Sequence, residues 1–193
     1  MKYILKKASE RIQDDRKAVL AAVKSNGFEL EYASARLQDD KEVVLAAVRN
    51  EGWSFQYASA RLLDDKKVVL TAIENGGGNA LDYTSARLQD DKEVVLAAVE
   101  NYGEELHSAS ARLQDDKEVV LVAVENGGGD ALDYASKRLQ DDKEVVLAAV
   151  EIDGWALDYA SERFLDDKEV VVTSLEFNGR NFWKISERLQ DDK

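Results

Sequence analysis

The chain has 193 residues, no proline and no cysteine, and its 39 acidic against 26 basic residues give a net charge of −13. Without cysteine there is no disulfide, thiolate-held metal or cysteine nucleophile, and the acid excess disfavours nucleic acid and anionic membranes as partners. No run approaches the ~20 apolar residues of a membrane span, and MKYILKKAS lacks the apolar core of a secretory signal, so the chain reads as soluble and cytoplasmic.

The pair Asp-Asp recurs at Asp14, Asp39, Asp64, Asp90, Asp115, Asp141, Asp166 and Asp191, with spacings of 25 or 26 residues. A fixed period of this size marks a solenoid, in which a unit buries its apolar face only by stacking on neighbours. The fold class expected is all-α, an α-solenoid of ~25-residue two-helix repeats. In chain order, residues 1–13 form a half unit, full units start at 14, 39, 64, 90, 115, 141 and 166, and a further unit begins at 191. The whole, 1–193, is expected to be one elongated domain with seven A helices and eight B helices.

The unit Asp39 to Leu63, DDKEVVLAAVRNEGWSFQYASARLL, carries the local signals. Asp39 and Glu42 have capping-box spacing, with both charges at the positive end of a helix dipole. At the equivalent place in the other copies, Asp14, Asp64, Asp90, Asp115, Asp141 and Asp166 are expected N-caps. Helix A then runs through Val43 to Val48 and stops near Gly52, a residue that tolerates the left-handed conformation after a helix end. VVLAAV could form a buried strand, but the cap in front, the Ala-Ala pair and the flanking Lys, Glu, Arg and Asn favour a helix packed on several sides. Helix B, Ser54 to Leu62, places Phe55, Ala58 and Leu62 on one face, with Ala58-Ser59 small enough for close packing.

The final copy stops without a polar cap. With the apolar Phe182, Trp183 and Ile185 there, the expectation is either an excerpt from a longer array or end-to-end association.

The adjacent aspartates do not match the D-x-D-x-D-G alternation of calcium loops, so no metal is expected. An arginine stands three residues before every pair, from Arg11 and Arg36 through Arg188, and is read as a structural ion pair or an Arg-Asp ladder along one edge. ENGGGNA (Glu74 to Ala80) and ENGGGDA (Glu125 to Ala131) hold the extra residue of the 26-residue units. Neither loop is followed by Gly-Lys-Ser/Thr, so each is read as a turn and not a phosphate cradle. His107, the single histidine, is expected to be solvated, and no serine is arranged with a histidine and an acid; no catalytic residue and no cofactor is assigned.

The copies differ in the A-to-B turn, at Phe28, Trp53, Asn79, Glu104, Asp130, Trp155 and Arg180, with Tyr102 one position before. Stacked about 8–10 Å apart, seven turns make a ribbon on the order of 60 Å long, the kind of surface solenoids use for binding. Phe28, Trp53, Tyr102 and Trp155 are the candidate anchors, with Trp183 as a further one.

The string D-K-E-V-V-L-A-A-V-x-x-x-G-x-x-L-x-Y-A-S resembles a short repeated domain of unknown function found in tandem in proteins of bacteria, protists and large viruses. Ser108 and Lys184 depart from it where Tyr32, Tyr57, Tyr83, Tyr134 and Tyr159 stand in other copies. The resemblance implies a helical repeat and assigns no activity. The expectation is a non-enzymatic binding or scaffold module for a protein or peptide. The alternatives are a passive spacer within a longer protein, or an acidic decoy of a nucleic-acid-binding site.

Overall fold

A computed structural model describes residues 4–178 and 186–190. Arg180, Phe182, Trp183, Lys184, Ile185 and Asp191 lie outside them. The chain divides into two compact units, Met1–Asn101 and Tyr102–Lys193. Both are built by stacking one repeat, an α-solenoid of α and 3₁₀ segments with no strand among the described residues. None of the described helices is long and apolar enough to cross a membrane.

The seven A helices are present: Arg16–Ser25, Lys41–Asn50, Lys66–Glu74 and Lys92–Asn101 in the first unit, and Lys117–Gly127, Lys143–Ile152 and Lys168–Asn178 in the second. Within each unit, successive A helices pack side by side. Val43, Val44, Ala47 and Val48 are fully buried and fill the space between repeats together with Leu37 and Leu62. The opposite side of the helix is less crowded than VVLAAV suggests, because Leu20, Leu70, Leu96, Leu121 and Leu147 and the residue after each are mostly only half-buried.

The N-cap falls one residue later than expected. The Glu42 and Val43 N–H groups donate to Asp40 Oδ1 at 3.0 and 3.2 Å, and Asp15, Asp65, Asp91, Asp116, Asp142 and Asp167 act likewise. Asp14, Asp39, Asp64, Asp90, Asp115 and Asp141 instead close the short helix in front, and Asp166 ends a 3₁₀ segment. Backbone conformation separates the roles: Asp40, at φ −87° and ψ 110°, has the extended geometry a cap needs, whereas Asp39, at φ −101° and ψ 3°, does not.

Helix B is two pieces. A 3₁₀ segment, Gly52–Tyr57, is followed by extended backbone at Ala58 and Ser59 and then a four-residue α-helix, Ala60–Leu63. The expected core letters are right, with Phe55 and Leu62 almost fully buried. The break has a cause in the neighbouring repeat: Ser59 N–H donates to Gln38 O at 3.0 Å, while its hydroxyl donates to Asp39 and accepts from Leu62 N–H at 3.4 Å. A serine satisfied this way gives up the helix for a turn. Gln38 completes the joint, its amide donating to Leu30 O and Glu31 O at 3.0 and 3.2 Å and so occupying carbonyls that the 3₁₀ end leaves open.

Gly52 does not use left-handed backbone. A Cβ there would lie 2.4 Å from Gly77 N and 2.5 Å from Ala72 O, so glycine is needed for close approach of the next repeat. Left-handed residues occur instead in the two longer loops, at Gly76 (φ 76°), Asn79 (φ 56°) and Gly128 (φ 68°), where the extra residue is absorbed.

Candidate functional site

Two ladders of charge hold consecutive repeats in register. In the first, the first aspartate of a pair accepts from a serine and an arginine of the following repeat, as in Ser59 and Arg61 on Asp39, Ser136 and Arg138 on Asp115, and Ser186 and Arg188 on Asp166. The arginine side chain also donates to the same aspartate's backbone carbonyl, at 2.6 Å for Arg61. The arginine therefore pairs with the aspartate 22 or 23 residues behind it, not with the one three residues ahead. In Asp14, Asp39, Asp64, Asp115 and Asp166 the serine hydroxyl first, and the arginine second, hold the carboxyl below its ordinary value.

The second ladder joins the cationic residue that starts one A helix to the cap of the next, in Lys41–Asp65 at 2.6 Å, Lys66–Asp91 at 2.8 Å, Lys117–Asp142 at 2.9 Å and Lys143–Asp167 at 2.8 Å. Lys66, Lys117 and Lys143 also reach Glu93, Glu144 and Glu169, each at 2.8 Å, and these bonds raise the lysine pKa values, the aspartate contributing first. With every member at least partly in water, the ladders set register more than they add stability. Among the described residues no group of three or more His, Asp or Glu is placed to hold a metal.

The turns present their variable side chains outward. Trp53 is 42% exposed, Tyr102 48% and Trp155 39%. Asn79, Glu104 and Asp130 are exposed, and Phe28 is half-buried. Asn26 and Asp153 fix the turn beneath two of the aromatics, accepting from Phe28 N–H at 3.2 Å and Trp155 N–H at 3.0 Å. Consecutive 3₁₀ segments touch within each unit. Phe28, Trp53 and Asn79 therefore follow one another along an edge of the first unit, as Tyr102, Glu104, Asp130 and Trp155 do in the second. Asp130 is engaged by Tyr159, whose hydroxyl donates to it at 3.0 Å and is thereby made less acidic. Arg180 lies outside the described residues.

His107 is exposed as expected, yet it does meet a serine. Ser108 Oγ lies 2.9 Å from Nε2, and Nδ1 lies 2.7 Å from Glu104 O. This fits Nδ1 donating to the carbonyl and Nε2 accepting from the hydroxyl. The ring is exposed, and a backbone carbonyl orients it. The ring packs 5.6 Å from that of Tyr134 in the next repeat.

Sequence reasoning missed the outward face of the A helices. Lys17, Leu20, Ala21 and Lys24 share it at i, i+3, i+4 and i+7, a spacing that was readable. In the first unit this face forms clefts of about 490 Å³, lined by Arg16, Lys17, Leu20, Ala21 and Lys24, and about 640 Å³, around Arg49, Lys67 and Leu70. A polar cleft of about 590 Å³ in the second unit lies among Asp133, Lys137, Asp141, Tyr159 and Glu162.

A family model described as a domain of unknown function, DUF4116, matches residues 2–38, 40–89, 91–140 and 142–190. Three of these matches begin on an aspartate that caps an A helix, and each of the longer ones spans two of the 25-residue repeats. No curated protein and no solved structure matches the chain.

Proposed function

The chain belongs to the DUF4116 family, whose description names no activity, and from the geometry alone we propose that it is a non-catalytic binding module for a protein or peptide, with the A-to-B turns as its contact surface. The observation that supports this is the exposure of Trp53, Tyr102 and Trp155 on backbone pinned by glycine packing and by side-chain caps. Large aromatics on fixed backbone lose little freedom on binding and are enriched at interface hot spots. A passive spacer would have no use for exposed aromatics at its turns.

The test is capture of partners from the source cell's extract by the intact array and by a Trp53→Ala, Trp155→Ala variant. The variant is expected to lose specific partners while its melt shifts by only a few degrees. Identical capture by both proteins refutes the reading, and a collapse of the melt assigns the tryptophans to packing.

A further inference from the structure

We propose that the outward face of the A helices in the second unit is a docking site for a cationic amphipathic helix. Helices Lys117–Gly127, Lys143–Ile152 and Lys168–Asn178 pack in succession and turn a common set of positions outward. Leu121, Leu147 and Val172 form one row across them, with Val122, Ala148 and Thr173 beside it; all are half-buried except Val172, which is 45% exposed. Ile152 and Phe177, one turn further along their helices, are 47% and 55% exposed. This is an apolar strip with no described segment over it.

Acid flanks the strip on both sides. Glu118, Glu144 and Glu169 form the row near the helix starts, and Glu125, Glu151 and Glu176 the row near the ends. Glu144 and Glu169 share Lys117 and Lys143 with the ladder aspartates, whereas no described cation pairs with Glu125, Glu151 or Glu176. The same two rows in the first unit read Lys17, Glu42, Lys67, Glu93 and Lys24, Arg49, Glu74, Glu100, so their charges cancel. Charge complementarity therefore selects a cationic partner, and selects the second unit over the first.

The spacing selects a helix. The acid rows stand seven residues apart along each A helix, about 10 Å at 1.5 Å per residue, which matches the diameter of an α-helix with its side chains. A helix lying across the three repeats can set leucine-type side chains on the strip and lysine or arginine on both flanks, as amphipathic helices dock in grooves. At about 8–10 Å per repeat the three-repeat strip is matched by roughly 16–20 helical residues. The site is separate from the turn edge and stands or falls without it.

The experiment is fluorescence anisotropy with the full chain and three labelled 18-residue probes: a Leu/Lys amphipathic helix, a scrambled peptide of the same composition, and a Leu/Glu helix. The Leu/Lys helix is expected to bind at least tenfold tighter than either control. Glu125→Lys, Glu151→Lys and Glu176→Lys together should remove at least tenfold of that affinity. The same positions changed to Gln, which cannot repel a neighbour, should lose severalfold with unchanged far-UV circular dichroism. Glu10→Lys, Glu31→Lys and Glu162→Lys, an equal charge change on exposed acids elsewhere, should keep the affinity, as should the double tryptophan variant of the turn edge. Equal binding of the scrambled peptide, or equal loss in the Glu10/Glu31/Glu162 variant, overturns the proposal in favour of attraction by net charge alone. Equal binding of the Leu/Glu helix overturns it as well.

Discussion

Replacing Gly52 with alanine tests whether repeat contacts are set by backbone approach. The added Cβ would stand 2.4 Å from Gly77 N, 2.5 Å from Ala72 O and 2.6 Å from Asn75 O, against ordinary contact from 3.4 Å. The obstacles are all backbone, so the end of helix Lys66–Glu74 must retreat by about 1 Å, the difference between those distances. The 3.2 Å hydrogen bond from Gly52 N–H to Asn75 O would go with it. Overpacking of this kind costs about 1–3 kcal/mol and the lost bond ~1 kcal/mol, offset by ~0.4–1 kcal/mol because alanine restricts the unfolded chain. The net loss is about 2–3 kcal/mol, a fall of roughly 5–10 °C in the melting midpoint at this chain length. Gly76→Ala is the control: nothing lies within 4 Å of its added Cβ, and only its left-handed φ of 76° is strained, for about 1 kcal/mol. Thermal and urea melts followed by far-UV circular dichroism compare the two. A Gly52→Ala midpoint at or above that of Gly76→Ala would refute close approach as the reason for glycine.

Ser54 is fully buried and its hydroxyl has no partner, whereas the same place in other repeats holds Ala80, Ala131 and Ala156, all buried. Ser54→Ala is expected to stabilise the chain by about 1 kcal/mol, read as a higher urea midpoint; a lower one would show that the hydroxyl is engaged. The two ladders predict a pH dependence of definite sign. Because Asp14, Asp39, Asp64, Asp115 and Asp166 sit below their ordinary 3.8 when folded, their contribution is complete above that value and drains away as pH falls through the folded values beneath it. Lys66, Lys117 and Lys143, raised from 10.5, contribute fully below 10.5 and lose that contribution as pH rises through the higher folded values. Melts should stay nearly level from pH 5 to 9 and fall at pH 3, less steeply in high salt. A midpoint at pH 3 equal to that at pH 7 would remove the ladders from the stability of the fold.

The period of 25 or 26 residues, the seven A helices and the buried valine and leucine positions were legible in the sequence, because helix propensity and apolar spacing act over a few residues and each copy repeats them. The exposure of Trp53 and Trp155 followed from their place in turns. What the sequence left undecided depends on partners about one repeat away. Which aspartate of each pair caps the helix was settled by the serine and arginine of the next repeat, which claim the first and leave the second to the A helix. The break in helix B was settled by a backbone bond from Ser59 to Gln38, and the need for Gly52 by the passage of Ala72 and Asn75. VVLAAV is apolar all round, so only stacking could show which side its neighbours cover and which side, carrying Leu147 between Glu144 and Glu151, faces outward. Local chemistry fixed the repeat, and contacts between repeats fixed the role of each residue in it, because the groups that compete for the same aspartate, carbonyl or space lie some 20 to 25 residues apart and meet only when the repeats stack.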